Sequence, residues 1–399
     1  MTSRDYDVVL YGAGGFTGRQ TVAYFAAHAP AGLRWAIAGP RRHTLEAART
    51  AAGVRLDDRD LIVAPSQDQA AVDGLVARTR VVLSTAGPFA LYGTPVVDAC
   101  VRFGTHYADI TGETPWMREI ASRYHATAAA GGTRIIPCCG FDSVPSDLGA
   151  LLMARHIRET MAVACAEVRA YFQFSGGLNG GTVASLLNML SAPRGAPIER
   201  MPGHEDARIR MIKRPQYDAP LGTWVGPFVM APTNTQVVRR SMMLADDWQQ
   251  PDADFVYQEA MRYDPPAARA KAISAATGLG LLFAALKQPG TRRLLQPLLP
   301  KPGMGPSVKT MDEGWFTCDL IGIAEDGRQA RGLIRHNGDP GNRATTVFLC
   351  ESALALALET DALPGGFARG GVLTPATGLG DVLVTRLRQA GTVIDVPAR

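Results

Sequence analysis

Three features of the sequence predict an α/β fold in two parts. Short apolar runs alternate with helical segments through the first 140 residues, a glycine-dense turn follows the first run, and from residue 165 the runs grow longer and richer in aromatic and β-branched residues. Together they describe an N-terminal doubly wound Rossmann domain plus an α+β domain with a mostly antiparallel sheet. The expected boundaries are 1–140, 141–350 for a substrate or dimerisation domain, and 351–399 for a C-terminal segment whose Pro- and Gly-punctuated stretches suit docking on the first domain.

The first strand is expected at 8–11, an apolar run of the kind buried in a parallel sheet, and a helix follows at 17–27, ended by Pro30 and Gly32. A second strand is expected at 33–38, then a helix running to Ala52, a third strand at 60–63 and a helix at 67–77. The fourth strand, 81–85, ends at Ala86-Gly-Pro88, with a helix at 95–103. Strands at 105–110 and 134–137 flank a helix at 116–130 and complete a six-stranded sheet; a crossover helix at 147–160 leaves it. Beyond it, strands are expected at 165–174, 228–239, 307–324 and 329–337, and the stretch 345–350 leads into a helix at 351–360. Pro, Gly and charge mark 191–221 as a long loop or lid-like insertion.

The longest apolar stretch, 272–286, is shorter than the roughly 20 residues that cross a bilayer. Its default reading is a buried core helix. Arg269, Lys271, Lys287, Arg292 and Arg293 bracket it, so an interfacial helix, an acyl-tunnel wall and a dimer contact stand as alternatives.

Hydrophobic residues make up 46% and charged residues 20%, a globular balance. The excess of 41 Lys and Arg over 37 Asp and Glu gives +4, with no basic run interleaved with aromatics, which argues against nucleic acid. Six cysteines without a C-x-x-C pair make neither a disulfide framework nor a metal site and fit a reducing compartment. The polar Thr2-Ser-Arg-Asp5 start has no apolar leader. A cytoplasmic protein is expected, with peripheral association at the inner membrane face as an option, and base rates favour a homodimer.

Gly12-Ala-Gly-Gly-Phe-Thr-Gly18 lies between the first strand and its helix. Gly12, Gly15 and Gly18 sit where such a turn bends, admits a pyrophosphate and packs helix on sheet, with Gly14 in addition. Phe16 and Thr17 open the helix whose free N–H groups face phosphate oxygens. This is a dinucleotide-binding signature. The second strand ends without the acid that holds an unphosphorylated ribose, and Arg41 and Arg42 follow, so NADP(H) is preferred over NAD(H). Thr85-Ala86-Gly87-Pro88, small residues after the fourth strand, leave room for the nicotinamide end.

With Gly12–Gly18 and Thr85-Ala-Gly-Pro-Phe89, the segments His106-Tyr-Ala-Asp-Ile-Thr-Gly-Glu113 and Cys139-Gly-Phe-Asp-Ser-Val-Pro-Ser-Asp147 resemble the saccharopine dehydrogenase-like family. The likeness is nearest to the branch containing the trans-acting enoyl reductases of mycobacterial lipid synthesis. It continues in Gly180-Gly-Thr182 and in the tail from Gly371 to Arg388. The resemblance implies a two-domain NAD(P)(H) enzyme that reduces an enoyl intermediate attached to a polyketide synthase. Many relatives have Gly-Arg after the second strand; here Gly39-Pro40 stands there, leaving Arg41 or Arg42 to reach a phosphate.

Enoyl reduction needs a hydride at the β-carbon, charge stabilisation at the carbonyl oxygen and a proton at the α-carbon. Tyr92, His106, Tyr107 and Asp109 are expected just beyond the fourth and fifth strands, with Tyr107 the favoured donor and His106 and Tyr92 next. Tyr107 reads equally as an aromatic wedged between sheet and helix, and His106 as a packing residue. Asp142 and Asp147 flank the domain junction; Ser146 or Asp147 suits a helix cap, and Glu113 a surface acid or a ribose contact. The leading expectation is an NADP(H)-dependent oxidoreductase acting on a fatty or polyketide acyl thioester, carrier-bound. Two others stand beside it. A saccharopine-type amino-acid dehydrogenase would need convergent cations such as Arg194, Arg200, Arg208, Arg210, Lys213 and Arg214, and a non-catalytic lipid-associated protein would use the dinucleotide as ligand.

Overall fold

A computed structural model describes residues 4–191, 208–244 and 255–396. In chain order the strands are β1 (Tyr6–Tyr11), β2 (Trp35–Gly39), β3 (Leu61–Val63), β4 (Thr79–Ser84), β5 (His106–Asp109), β6 (Arg134–Ile136), β7 (Cys165–Ser175), β8 (Arg208–Met211), β9 (Gln216–Asp218), β10 (Thr223–Gly226), β11 (Val256–Tyr263), β12 (Trp315–Ala324), β13 (Gln329–Asn337), β14 (Gly371–Val372) and β15 (Val393–Asp395).

The first sheet runs β14-β6-β5-β4-β1-β2-β3, with every pairing parallel. Its strands are buried on both faces, and alternate residues serve different layers. Val8 and Leu10 pack with Val22, Phe25, Leu45 and Phe348, whereas Val9 and Tyr11 pack with Val72, Leu75, Val96 and Ile120. β14 adds a seventh strand from the far end of the chain, and the buried Arg134 donates to the carbonyls of Pro364, Gly366 and Gly378 beside it.

The second sheet has eight strands in the order β15-β13-β12-β7-β11-β10-β9, with β8 also on β11. It is mixed rather than mostly antiparallel, because β11 runs parallel to β7 and to β8. Parallel neighbours need a crossover, and the chain between β7 and β11 supplies it with the helices Gly180–Ser191 and Ala231–Leu244. The helix Val144–Met161 joins the sheets, with Gly149 against Leu320 and Gly322 against Met153 and Ile157.

Several expectations for the second half are corrected. The strand expected at 228–239 is the helix Ala231–Leu244, whose buried Ala231, Thr235, Val238 and Met242 recur at helical spacing. The strand expected from 307 begins at Trp315, after the short helix Val308–Asp312. The helix expected at 351 already starts at Thr345. Inside the expected insertion at 191–221 lie β8 and β9, and residues 192–207 are outside the described residues.

The apolar stretch forms the helix Ala268–Lys287, longer than expected because Ala268-Arg-Ala-Lys271 extend it. At 20 residues, with a mean hydropathy of 1.3, it is long and apolar enough to cross a bilayer by length and composition. It is not a core helix either: 11% of its apolar window is buried.

Candidate cofactor and substrate site

Tyr11 hands the chain to Gly12 at φ +88°, a left-handed conformation natural to glycine, and a Cβ there would stand 2.9 Å from the backbone nitrogen of Ala86. At Gly18 a Cβ would lie 2.1 Å from the Gly12 carbonyl oxygen, so only hydrogen allows the helix to close on the turn. That helix, Phe16–His28, starts after Gly15 with no side-chain cap and no acid in its first turn. Its first N–H groups and the positive end of its dipole are left for an anion. Gly14 faces Thr44, whose hydroxyl oxygen would be 2.5 Å from a Cβ. Thr17 is half-buried at the helix start, and the Phe16 ring packs on Gly305.

The two arginines after β2 differ. Arg42 is held by Glu46 at 3.0 Å and Asp58 at 3.0 Å, and donates to the Leu61 carbonyl at 3.2 Å. Arg41 is exposed, and its guanidinium has no partner among the described residues. No acid ends β2, which closes on Ala38 and Gly39.

Thr85, Ala86, Gly87 and Pro88 follow β4 and are half-buried, and the Thr85 hydroxyl donates to the Gly12 carbonyl at 3.2 Å, tying this turn to the glycine turn. The next residues are pinned by Glu113, which is buried and not the surface acid expected. Its carboxylate accepts the backbone N–H groups of Phe89 at 2.8 Å and Ala90 at 3.0 Å, and the Ser185 hydroxyl at 2.7 Å. Ser185, on the helix Gly180–Ser191, lies where a Cβ on Gly87 would be 3.6 Å away. The second half of the chain thus reaches the first at the turn after β4. Nothing in the local sequence marks Ser185, though Gly180-Gly-Thr182 flags its helix.

The favoured donors part company. His106–Asp109 is β5 itself, not a segment beyond it. His106 opens the strand at the edge opposite the glycine turn, accepts the Arg134 N–H at 3.0 Å and is held down to about 4 by burial and by the Arg134 charge. Tyr107 is fully buried and its hydroxyl donates to Asp109 at 2.9 Å, with burial raising its pKa far above the usual range. Asp109 also accepts from the N–H groups of Thr111 at 2.9 Å and Cys138 at 3.1 Å. Neither His106 nor Tyr107 is positioned to meet a substrate. Tyr92 ends the short helix Phe89–Tyr92 and is half-buried.

After β6 the chain turns through Cys138 and Cys139 to Asp142 on the same carboxyl edge. Asp142 is half-buried with no hydrogen-bond partner among the described residues, and burial raises its carboxyl to about 6. Its neighbour Phe141 packs on Phe174 of β7, which in turn meets Phe228. Met230 lies over Gly112, and Val229 and Phe174 are exposed. An apolar wall therefore stands over the carboxyl ends of β5 and β6. Asp147 caps a helix other than its own: its carboxylate takes the Ala376 N–H at 2.8 Å, at the start of Pro375–Gln389. Ser146 donates to Glu259 at 2.8 Å. Among the described residues no His, Cys, Asp and Glu cluster could hold a metal ion. Arg194 and Arg200 lie outside the described residues; Arg210 pairs with Glu167 at 3.6 Å.

Residues 8–136 match the family model of the saccharopine dehydrogenase NADP binding domain. A trans-acting enoyl reductase of Mycobacterium tuberculosis is 37% identical over 98% of this chain and 97% of its own. The chain belongs to the saccharopine dehydrogenase-like family, in the branch of the trans-acting enoyl reductases. A second member, from Mycobacterium ulcerans, is 36% identical with the same coverage. In fold, the chain is similar to saccharopine dehydrogenase (L-Glu forming) of Saccharomyces cerevisiae, with a TM-score of 0.54, 14% identity and 97% and 98% of the two chains covered. It is also similar to homospermidine synthase of Legionella pneumophila, with a TM-score of 0.53, 11% identity and 99% and 91% covered. The matched NADP binding domain, residues 8–136, contains the glycine turn described above.

Proposed function

We propose that the chain reduces the carbon–carbon double bond of a fatty or polyketide acyl thioester with NADPH, the acyl group arriving on a carrier protein. The observation that carries this is the apolar wall of Phe174, Phe228, Val229 and Met230, set over the sheet edge where the nicotinamide end of a dinucleotide lies. The relatives, named trans-acting enoyl reductases, support the same reaction.

The uncapped start of Phe16–His28 would hold the pyrophosphate, and Thr85–Pro88 would leave room for the nicotinamide, which supplies a hydride when bound. Arg41, whose guanidinium has no partner among the described residues, would pair with a 2′-phosphate, and the absent acid removes the group that would repel it. Asp142 delivers the proton to the α-carbon. It stands two strands from β4, roughly 10 Å along the sheet edge, and with no partner among the described residues its proton is available to a substrate. A saccharopine-type substrate would need convergent cations, and among the described residues the wall offers aromatic and aliphatic groups instead.

The test is NADPH oxidation with 2-enoyl thioesters of increasing chain length, beside saccharopine with either nicotinamide cofactor. Saturated thioester detected by mass is the expected product. Turnover of saccharopine alone would overturn acyl reduction, and tight NADPH binding with no turnover of any substrate would assign a non-catalytic role.

A further inference from the structure

The helix Ala268–Lys287 is apolar around most of its circumference, a composition that belongs in a core or in lipid, yet the fold leaves it uncovered. Leu281 is 67% exposed, and on the segment that follows Leu294 and Leu298 are 76% and 79% exposed. Along the chain the charge is basic: residues 265–311 contain no Asp or Glu and seven Lys or Arg, with Asp264 beside Lys271 and Glu313 3.8 Å from Lys309 at the two ends.

We propose that this face docks on an anionic phospholipid bilayer, the helix lying within one leaflet. Charge complementarity selects this occupant over a second copy. Two copies meeting through this face would oppose two surfaces with an excess of Lys and Arg, whereas phosphate headgroups neutralise that excess while the acyl region takes the leucines. The attachment of the helix selects the orientation. Ala268 and Ala272 at one end and Leu286 at the other are buried against the same folded body, and the Arg269 guanidinium lies 5.3 Å from the centre of the Trp224 ring. A helix held at both ends lies along its domain and does not cross the bilayer.

The chain then returns to the site, with Lys301 and Pro306 packed on Gly180 and Gly177 and Gly305 on the Phe16 ring. The docked face thus ends beside the cofactor turn, where an acyl chain leaving the bilayer would enter. Docking itself does not depend on which substrate is reduced.

Sucrose-loaded vesicles of phosphatidylcholine, alone or with about one quarter phosphatidylglycerol, test this by co-sedimentation of the full chain. The bound fraction should rise about tenfold with the anionic lipid and fall about tenfold in Leu281→Glu/Leu282→Glu, and separately in Leu294→Glu. Lys287→Gln/Arg293→Gln should lose the anionic preference. NADPH affinity, unchanged in all three, verifies folding. Equal partition into both vesicle types, or none into either, overturns the proposal. A dimer that Leu281→Glu/Leu282→Glu splits, without vesicle binding, overturns it in favour of a second copy.

Discussion

The Ser185 hydroxyl donates to the Glu113 carboxylate at 2.7 Å, and through it the helix Gly180–Ser191 is fastened to the turn after β4. Glu113 completes the pair by holding two backbone N–H groups of Phe89 and Ala90. Glu113→Ala leaves those donors and Ser185 without their acceptor and is expected to cost about 2–4 kcal/mol. Ser185→Ala removes one bond and should cost about 1 kcal/mol while raising KM for NADPH more than it lowers kcat. Chemical denaturation with steady-state kinetics checks both; equal stability of the two variants would refute the assigned hierarchy.

Arg41 and Arg42 are adjacent in sequence but separate in role. Arg41→Ala should weaken NADPH binding about tenfold to a hundredfold and leave NADH unchanged, since a charge-assisted contact to the 2′-phosphate is lost. Arg42→Ala breaks pairs with Glu46 and Asp58, both largely exposed, so its effect should be within about 1 kcal/mol of stability and leave the NADPH to NADH ratio alone. Fluorescence titration of both cofactors decides it, and a ratio that moves with Arg42 instead would reverse the assignment.

Asp142 and Tyr107 compete for the proton-donor role, and substitution separates them. Asp142→Asn should lower kcat by about a hundredfold while stabilising the fold at pH 8 by about 1–2 kcal/mol, because a partnerless carboxylate is no longer ionised out of water. In the wild type, kcat should fall as pH rises above about 6, the value of its carboxyl. Tyr107→Phe should instead leave turnover nearly intact and cost about 1–2 kcal/mol through the lost bond to Asp109. Loss of turnover in Tyr107→Phe with retention in Asp142→Asn would restore the tyrosine.

Asp109, Asp147 and Glu259 are fully buried carboxyls raised by burial to about 7 from ordinary values of 3.8, 3.8 and 4.5. The folded chain therefore holds protons that the unfolded chain releases between about pH 4 and 7. Their contribution is complete below the ordinary values and is lost as pH rises through the folded ones. Asp7, Asp73 and Asp264 shift the other way, but their window lies below the ordinary 3.8; His106, His125 and His336, lowered by burial from 6.5, oppose the three carboxyls only up to about that pH and offset part of the decline. Stability should thus decline from pH 5.5 to 8 by on the order of 2 kcal/mol, a drop of roughly 3 °C in Tm. Scanning calorimetry across that range checks the sign, and a rising Tm would contradict it.

The first six strands of the first sheet and the glycine turn are legible in the sequence because both are local: short apolar runs, the first two ending at Gly12 and Gly39, need no distant partner to be recognised, whereas the seventh strand comes from the far end of the chain. The helix Ala231–Leu244 was obscured by the adjacent Val237 and Val238, whose β-branched character masks a helical spacing. Tyr107 pointed to the right strand but the wrong environment, since a tyrosine letter does not reveal that Asp109, two residues on, already accepts its hydrogen bond.

The sequence by itself determined that a dinucleotide turn exists, that no acid ends β2, and that a long apolar segment is flanked by bases. Tertiary structure alone decided that, among the described residues, Arg41 and Asp142 have no side-chain partner, that Ser185 meets Glu113 from 72 residues away, and that the apolar helix lies on the surface. The physical reason is range. Dihedral preference and periodicity act over a few residues, whereas burial and pairing are set by chain segments that meet only after folding.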